Sequence, residues 1–180
     1  MRKLLNEELN RLEVEAFKCA DKIPVVVVLD NVRSMNNTGS VFRTADAFRV
    51  QSVFLCGITA VPPHKEIHKT ALGATESVDW EYFEHTQDAL EQLRKKDYVV
   101  CSIEQAEQSI MLESFPVQEG QKYALVFGHE IRGVEQAIVD MSDHSIEIPQ
   151  FGTKHSLNIS VSAGIVIWEF FRKLSGQISW

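Results

Sequence analysis

Residues 25–48 have the sequence VVVVLDNVRSMNNTGSVFRTADAF, and this stretch decides the fold. The continuous β-branched run at 25–29 predicts a strand that is buried on both faces, as in a parallel sheet. Apolar side chains recur on one side of the segment 38–48, which predicts a helix with Asn37 or Thr38 as its N-cap. The stretch therefore predicts the strand, loop and helix with which a nucleotide-binding α/β unit begins.

The rest of the chain alternates between strands and helices in the same way. Four further strands are predicted at 52–56, 98–104, 122–128 and 145–149. Five further helices are predicted at 3–20, 64–71, 86–96, 134–141 and 156–174. This order predicts an α/β fold in which helices cover both faces of a mostly parallel sheet. Because no repeat or linker divides the 180 residues, we expect a single domain over 1–180.

The composition is that of an ordinary globular protein, with 44% hydrophobic and 24% charged residues. No apolar run reaches the roughly 20 residues of a membrane span. Acidic residues interrupt the leucines near the N-terminus, so we expect no signal peptide. The net charge of −7 argues mildly against nucleic acid as a partner. Three well-separated cysteines predict reduced thiols and a cytoplasmic location: Cys19, Cys56 and Cys101.

Polar loops follow three of the predicted strands, at the edge where open α/β sheets bind their ligands. These loops span 30–39, 128–133 and 149–158. The first contains neither G-x-G-x-x-G nor GxxxxGK[ST], which argues against NAD, FAD and a phosphate-loop nucleotidase. The ligand of this edge is therefore expected to belong to another class.

Asn37 and Arg43 lie at or just inside the start of the first predicted α/β helix, a position that favours anions. Arg43 offers a planar fork of donors that suits a phosphate group. The alternative is that Arg43 pairs with Asp46 or Asp30 and that Asn37 only caps the helix.

The second and third loops each carry polar side chains with two possible roles. In FGHEIRG, Gly128 permits a backbone to lie against a planar ligand, and Glu130 either serves the site or caps the helix 134–141. In the third loop, Ser156 either faces the site or caps the last helix. The chain has no G-x-S-x-G elbow, which argues against a Ser-His-Asp hydrolase.

A metal site has little support in the sequence. No CxxC pair is present, and FGHEIRG lacks the H-E-x-x-H spacing of a zinc protease. His64 and His68, with Glu66 between them, have no evident further ligand. We therefore expect no metal.

The last predicted helix contains AGIVIWEFF at 163–171 and is apolar nearly all the way round. Such a helix must be buried on more than one side. In a chain of this size we predict a homodimer that uses this helix. The alternative is a helix that packs centrally within one subunit.

Taken together and in this order, three stretches resemble the motifs of the SpoU/TrmH-type RNA 2′-O-ribose methyltransferases of the SPOUT superfamily. They are NTGSVFRTA (37–45), LVFGHEIRGV (125–134) and IPQFGTKHSLNISVSAG (148–164), and KTALGA (69–74) is also similar. The resemblance covers about 25–175. It implies a C-terminal deep trefoil knot, S-adenosylmethionine as cofactor, a homodimer, and methylation of a ribose 2′-hydroxyl in RNA, with tRNA favoured over rRNA.

The resemblance also implies a role for individual residues. Catalytic roles fall on Asn37, Arg43, Glu130, Ser156 and Asn158. The implied cofactor pocket consists of Phe127, Gly128, His129, Ile148, Gly152 and Leu157. Phosphate contacts are expected from Arg33, Lys69, Arg132 and Lys154. Arg43 would orient the hydroxyl by gripping the neighbouring phosphate, since a guanidinium stays protonated and is a poor base. For His129 a purely structural role is the alternative.

Two other functions compete with this hypothesis. A non-catalytic RNA-binding relative would bind RNA without incorporating methyl groups. An unrelated α/β enzyme with a small-molecule substrate would bind another nucleotide rather than S-adenosylmethionine. Methyl incorporation and calorimetry separate these cases.

Overall fold

The structure is a computed structural model, and it describes residues 1–177. Seven strands form one sheet. They are β1 (Ile23–Asp30), β2 (Val50–Cys56), β3 (Asp79–Phe83), β4 (Tyr98–Ile103), β5 (Ile110–Met111), β6 (Lys122–Phe127) and β7 (His144–Glu147). Their order is β3-β2-β1-β6-β4-β7-β5, and neighbouring strands run parallel. The predicted α/β class with a mostly parallel sheet is confirmed.

Helices cover both faces of the sheet, as predicted. They are α1 (Val14–Cys19), α2 (Met35–Ala47), α3 (Lys65–Ala71), α4 (Ala74–Ser77), α5 (Thr86–Lys95), α6 (Gln136–Met141) and α7 (Ile159–Leu174). Short 3₁₀ turns occur at Asn6–Leu9, Leu112–Ser114 and Ser175–Gln177. Within residues 1–177, no helix combines the length and the hydropathy that a bilayer span requires.

The valine run of β1 supplies both apolar layers of the core. Side chains alternate between the two faces of a strand, so successive valines enter different layers. Val25 and Val27 pack with α2, α3 and α7, whereas Val26 and Val28 pack with α5 and α6. The prediction of a strand buried on both faces is confirmed.

The predicted amphipathic helix over 3–20 is wrong for most of its length. The chain forms a 3₁₀ turn at Asn6–Leu9 and the short helix α1, of which only Phe17 is buried. The spacing of the leucines is helical, but their side chains have no apolar surface against which to pack, and a short helix without packing is marginal in water. The exposed leucines are Leu4, Leu5, Leu9 and Leu12.

Two predicted helix starts are also wrong. α2 begins earlier than predicted, because Ser34 Oγ accepts a hydrogen bond from the Asn37 backbone N–H at 3.3 Å; Asn37 and Thr38 therefore lie inside the helix. α7 begins later, because the cap is Asn158, whose Oδ1 accepts from the Ser160 N–H at 2.8 Å.

The prediction missed β3 and β5, which occupy the two edges of the sheet. The sequence of β3, DWEYF, alternates polar and aromatic residues and is largely exposed, so it has no continuous apolar run. β5 has two residues, which is too short for any periodic signal.

The arrangement of β1 and β6 creates a crevice at the carboxyl edge of the sheet. These two strands are neighbours, yet the helices that follow them, α2 and α6, pack on opposite faces. Such a switch point is where open α/β sheets bind ligands. The loops after β1 and β6 are two of the three polar loops identified in the sequence.

Candidate functional site

A cleft of about 1090 Å³ lies at the carboxyl ends of β4, β6 and β7. Its walls come from the segments that follow these strands and from the residues just before α7. Five residues of the implied cofactor pocket line it: Phe127, Gly128, His129, Ile148 and Leu157. Gly152 lies outside this lining, in the exposed part of the loop before α7. The sequence therefore located one wall of the cleft correctly, whereas the roles of these residues stay predictions.

The loop after β6 closes tightly on itself. The His129 and Gly133 backbones exchange hydrogen bonds of 2.9 and 2.8 Å. A Cβ on Gly128 would lie 2.1 Å from the Gly133 carbonyl carbon, so only glycine permits this closure. His129 also shapes the loop, because its Nδ1 accepts from the Ile131 N–H at 3.0 Å. The glycine is thus required by the backbone of the loop itself.

Glu104, at the end of β4, fixes this loop and was not identified from the sequence. Its carboxylate accepts hydrogen bonds from the N–H groups of Val134 and Gln105, both at 2.9 Å. A Cβ on Gly133 would lie 2.1 Å from Glu104 Oε2. The available signal was a carboxylate at the last position of the predicted strand 98–104, because polar residues at that edge face the ligand crevice.

Glu130 joins the second loop to the start of α2. Its Oε2 accepts from the Arg33 N–H at 3.0 Å, and its Oε1 accepts from the Ser34 N–H at 2.8 Å and from Asn37 Nδ2 at 3.1 Å. It does not cap the helix 134–141, which was the alternative role. Burial raises the pKa of this carboxyl, but the N–H groups of Glu130 itself, Arg33 and Ser34 and the Asn37 amide outweigh that effect and lower the pKa.

Asn37 then connects Glu130 to the third loop. Asn158 Nδ2 donates to Asn37 Oδ1 at 3.3 Å, while Asn37 Nδ2 donates to Glu130. A continuous series of side-chain hydrogen bonds therefore connects all three polar loops. Asn158 is held in turn by Ser160, whose N–H and Oγ both donate to Asn158 Oδ1, at 2.8 and 2.6 Å. The three predicted residues Asn37, Glu130 and Asn158 meet at one place.

Arg43 lies on α2 with an exposed side chain. Both carboxylates that could have paired with it have other partners: Asp46 accepts from Ser77 Oγ at 2.5 Å, and Asp30 accepts from Thr86 Oγ1 at 2.6 Å. Across residues 1–177, no salt bridge or side-chain hydrogen bond engages the Arg43 guanidinium. Its donors are therefore available to a ligand.

Asp30 is a second carboxylate that the sequence analysis did not assign to the site. It is buried at the end of β1 and accepts from Thr86 Oγ1, from Asn31 Nδ2 at 2.9 Å and from the Glu135 N–H at 3.2 Å. A buried carboxylate is tolerated when it is hydrogen-bonded in this way. Asp30 thereby fixes the starts of α5 and α6 against β1, beneath the first loop.

The other predicted residues lie around this centre. Ser156 lines the cleft with an exposed side chain and does not cap α7, because Asn158 holds that position. The four residues predicted to contact phosphate all have exposed side chains: Arg33, Lys69, Arg132 and Lys154. Among them, Arg132 lines the cleft. Arg33, Lys69 and Lys154 lie outside the cleft lining.

The spacing of His64, Glu66 and His68 has a local structural explanation. His64 caps α3, since its Nδ1 accepts from the Glu66 N–H at 3.3 Å. In the described part of the chain, no three histidine, cysteine, aspartate or glutamate side chains are grouped so that they could hold a metal ion.

Comparison with known proteins finds a matching family model and similar sequences. The sequence model of the SpoU rRNA methylase family matches residues 24–168. A Staphylococcus saprophyticus protein that carries the name of a TrmH family tRNA/rRNA methyltransferase is 30% identical over 156 residues, which are 87% of this chain and 61% of that protein. A Staphylococcus haemolyticus protein of the same name is 28% identical over 89% of this chain and 63% of its own length. This chain thus spans about three fifths of these curated relatives.

Solved structures agree with this comparison. The AdoMet-bound rRNA methyltransferase from Sinorhizobium meliloti superimposes with a TM-score of 0.79 at 25% identity, over 89% of this chain and 60% of that one. The A. aeolicus TrmH/SpoU tRNA modifying enzyme has the same fold, with a TM-score of 0.80 at 23% identity over 91% of this chain and 83% of that one. The resemblance inferred from the three motifs is confirmed.

Proposed function

The chain belongs to the SpoU rRNA methylase family, and on that premise we propose that it methylates a ribose 2′-hydroxyl of RNA with S-adenosylmethionine as methyl donor. The observation that carries the proposal is the hydrogen-bonded chain Asn158–Asn37–Glu130 beside the cleft. It places the third loop, the first loop and the second loop around one point, as a reaction between two bound substrates requires.

The cleft suits this cofactor. Ile148 and Leu157 offer apolar side chains to an adenine ring, and the backbone of 128–133 in the same lining offers hydrogen-bonding groups to its edge. The carboxylates of Glu104 and Glu130 belong to the same lining and complement the positive charge of a sulfonium. When bound there, the cofactor supplies an electrophilic methyl group. A relative named as AdoMet-bound supports the assignment. We propose that Phe127, Gly128 and His129 contribute to this pocket as well.

Arg43 is proposed to hold the phosphate next to the reacting ribose. Its guanidinium has no partner among residues 1–177 and presents a planar fork that fits phosphate oxygens. Because a guanidinium is not deprotonated in proteins, Arg43 acts by positioning and by electrostatic stabilisation, not as a general base. Asn37 fixes the position of Asn158, and Ser156 and Asn158 face the ribose.

The RNA is proposed to be tRNA, with rRNA as the alternative. Only RNA carries the 2′-hydroxyl, and unpaired loop nucleotides expose it best. The exposed cations beside the loops are candidates for phosphate contacts: Arg33, Lys69, Arg132 and Lys154. The three free cysteines are consistent with a reducing cytoplasm, and burial raises the pKa of Cys56 to about 12, which keeps it a thiol.

We further propose that two copies associate through α7. One side of this helix packs into the core of its own chain, whereas Val161, Ile165 and Trp168 lie on the other side and are 49%, 38% and 50% exposed. Their spacing forms one apolar stripe. A second copy would cover it. From the family we also expect the C-terminal trefoil knot, formed by the loops 128–133 and 149–158 together with α7.

Labelled S-adenosylmethionine tests the reaction directly. The purified protein is incubated with the labelled cofactor and total RNA from a strain that lacks the gene, and the modified position is then mapped. Label in a 2′-O-methylated nucleotide of tRNA supports the proposal in full, and label in rRNA selects the alternative. RNA binding without any methyl transfer would instead indicate a non-catalytic relative.

A further inference from the structure

A second cavity, of about 470 Å³, lies beside the N-terminal half of α3 and next to the edge strand β3. Ile67 of α3 is fully buried beneath it, and Trp80 of β3 forms one wall with 37% of its surface exposed. Pro62 and Pro63 also line it. None of the functions discussed above uses this cavity. Its size and its exposed indole suit one planar, aromatic group.

The rim of this cavity carries hydrogen-bond donors and one acceptor whose side chains make no other contact of that kind among residues 1–177. Lys65, His68 and Glu76 line it with exposed or half-exposed side chains, and across residues 1–177 none of the three side chains makes a hydrogen bond or salt bridge. His64 uses Nδ1 to cap α3, which leaves Nε2 free to donate. An aromatic wall bordered by such groups offers stacking to a planar ring and hydrogen bonds to its edge.

The cavity is connected to the catalytic loops by a basic ridge. Lys65, His68 and Lys69 lie three and four residues apart on α3, so they form one exposed row. At the other end of α3, Thr70 Oγ1 donates to the Asn36 carbonyl at 3.0 Å, next to the catalytic centre at Asn37. A helix rises by about 1.5 Å per residue, so Lys65 and Thr70 are about 8 Å apart along the axis. One RNA strand can therefore contact both ends of α3.

We propose that this cavity binds an unpaired base of the RNA substrate, near the nucleotide whose ribose is methylated; the inference rests on the proposed function. The base stacks on Trp80, and Glu76 or His68 binds its polar edge. Lys65 and Lys69 bind the intervening phosphates. On a chain with a net charge of −7, the ammonium groups of Lys65 and Lys69 are a local attraction for a polyanion. Bases of every type can stack, so the cavity contributes affinity and register more than sequence choice.

Fluorescence anisotropy with a fluorescein-labelled oligoadenylate RNA and with total tRNA tests the proposal. Trp80→Ala should weaken RNA binding about 5- to 150-fold, the range that loss of one base–aromatic stack produces. Trp80→Phe should keep most of the affinity, because phenylalanine can still stack. Tyr82→Ala is the matched control, since Tyr82 lies on the same strand and the same sheet face but outside the cavity. It should leave RNA binding nearly unchanged.

Lys65→Ala provides a second variant that does not alter the core, because Lys65 is exposed. It should lower the salt dependence of RNA binding by about one phosphate contact. S-adenosylmethionine affinity, measured by calorimetry, should be the same in all variants and the wild type.

Equal loss of RNA affinity in Trp80→Ala and Tyr82→Ala, or no loss in Trp80→Ala, would overturn the inference and leave the methyltransferase function intact. A wild type that binds neither RNA would overturn both. A change of oligomeric mass in Trp80→Ala would assign the cavity to a protein contact and also reject the proposal.

Discussion

Replacing Gly39 by alanine should destabilise the protein, although alanine favours helices. A Cβ at this position would lie 2.3 Å from the Ile67 carbonyl oxygen and 2.1 Å from Thr70 Oγ1. Thr70 can rotate away, but the carbonyl belongs to the backbone of α3. Ordinary contact begins at 3.4 Å, so the two helices must separate by about 1 Å.

Three contributions decide whether the free energy of unfolding rises or falls in Gly39→Ala. Overpacking of this kind costs about 1–3 kcal/mol. Rotation of Thr70 breaks its hydrogen bond to the Asn36 carbonyl, which costs about 1 kcal/mol. Alanine in place of glycine inside a helix returns about 1 kcal/mol. We therefore expect a net loss of about 1–3 kcal/mol in the free energy of unfolding, and about 2–4 °C in Tm for each kcal/mol in a chain of this size.

Urea unfolding followed by circular dichroism measures this loss. The matched control is Ser40→Ala, the neighbouring position of the same helix, which should change the stability by no more than about 0.5 kcal/mol. Gly39→Ala/Thr70→Ala should recover only part of the loss, because the Ile67 carbonyl remains. A single variant Gly39→Ala as stable as the wild type would refute the reasoning. Because α2 also carries Asn37 and Arg43, Gly39→Ala should slow methyl transfer as well. Misplacing reacting groups by about 1 Å can lower a reaction rate about 10²-fold.

Three further predictions concern the site and the assembly. Arg43→Lys should bind S-adenosylmethionine normally in calorimetry but lose most single-turnover activity, roughly 10- to 100-fold, because an ammonium cannot form the paired contact; lost cofactor binding with an intact fold would place Arg43 in the cofactor pocket instead. Glu130→Gln should lose about 2 kcal/mol in urea unfolding at pH 7, because its charged oxygens accept three hydrogen bonds. The pKa of Glu130 in the folded protein is lowered from 4.5. The extra stability of the wild type over Glu130→Gln is therefore present above pH 4.5 and shrinks as the pH falls through the folded-state pKa. A stability difference that does not change with pH would contradict this prediction. If two copies associate through α7 as proposed, Ile165→Glu should convert that dimer into a monomer of 20.4 kDa in light scattering. An unchanged mass would argue against an α7 interface.

The sequence predicted the elements whose signal is local and periodic. The valines of β1 alternate between two apolar layers, so the strand is buried on both faces, as its continuous apolar run predicts. The leucines before residue 13 have an equally clear helical spacing, yet the helix fails because no surface of the described chain covers it. β3 was missed for the opposite reason: as an edge strand it needs no apolar run. Periodicity therefore predicts burial correctly only where a partner surface exists.

The candidate site was predictable in part for a related reason. The resemblance to the family motifs pointed to Asn37, Glu130 and Asn158. Each lies in one of the three polar loops predicted after strands, and the sheet brings those loops together. Glu104 and Asp30 bind backbone groups 30 and 105 residues away, and no local pattern encodes such partners. The requirement for Gly39 likewise depends on a carbonyl of another helix.

The pairing of β1 with β6 has a consequence for how the protein is made. Val25 pairs with Tyr123, about 100 residues later in the chain. At the usual synthesis rates, β1 waits about 5–20 seconds on the ribosome before its central neighbour exists. During that interval a strand whose residues 25–29 are all apolar has only β2 beside it. We therefore expect nascent chains truncated before residue 122 to aggregate or to be retained by chaperones, and folding to begin only after β6 has emerged.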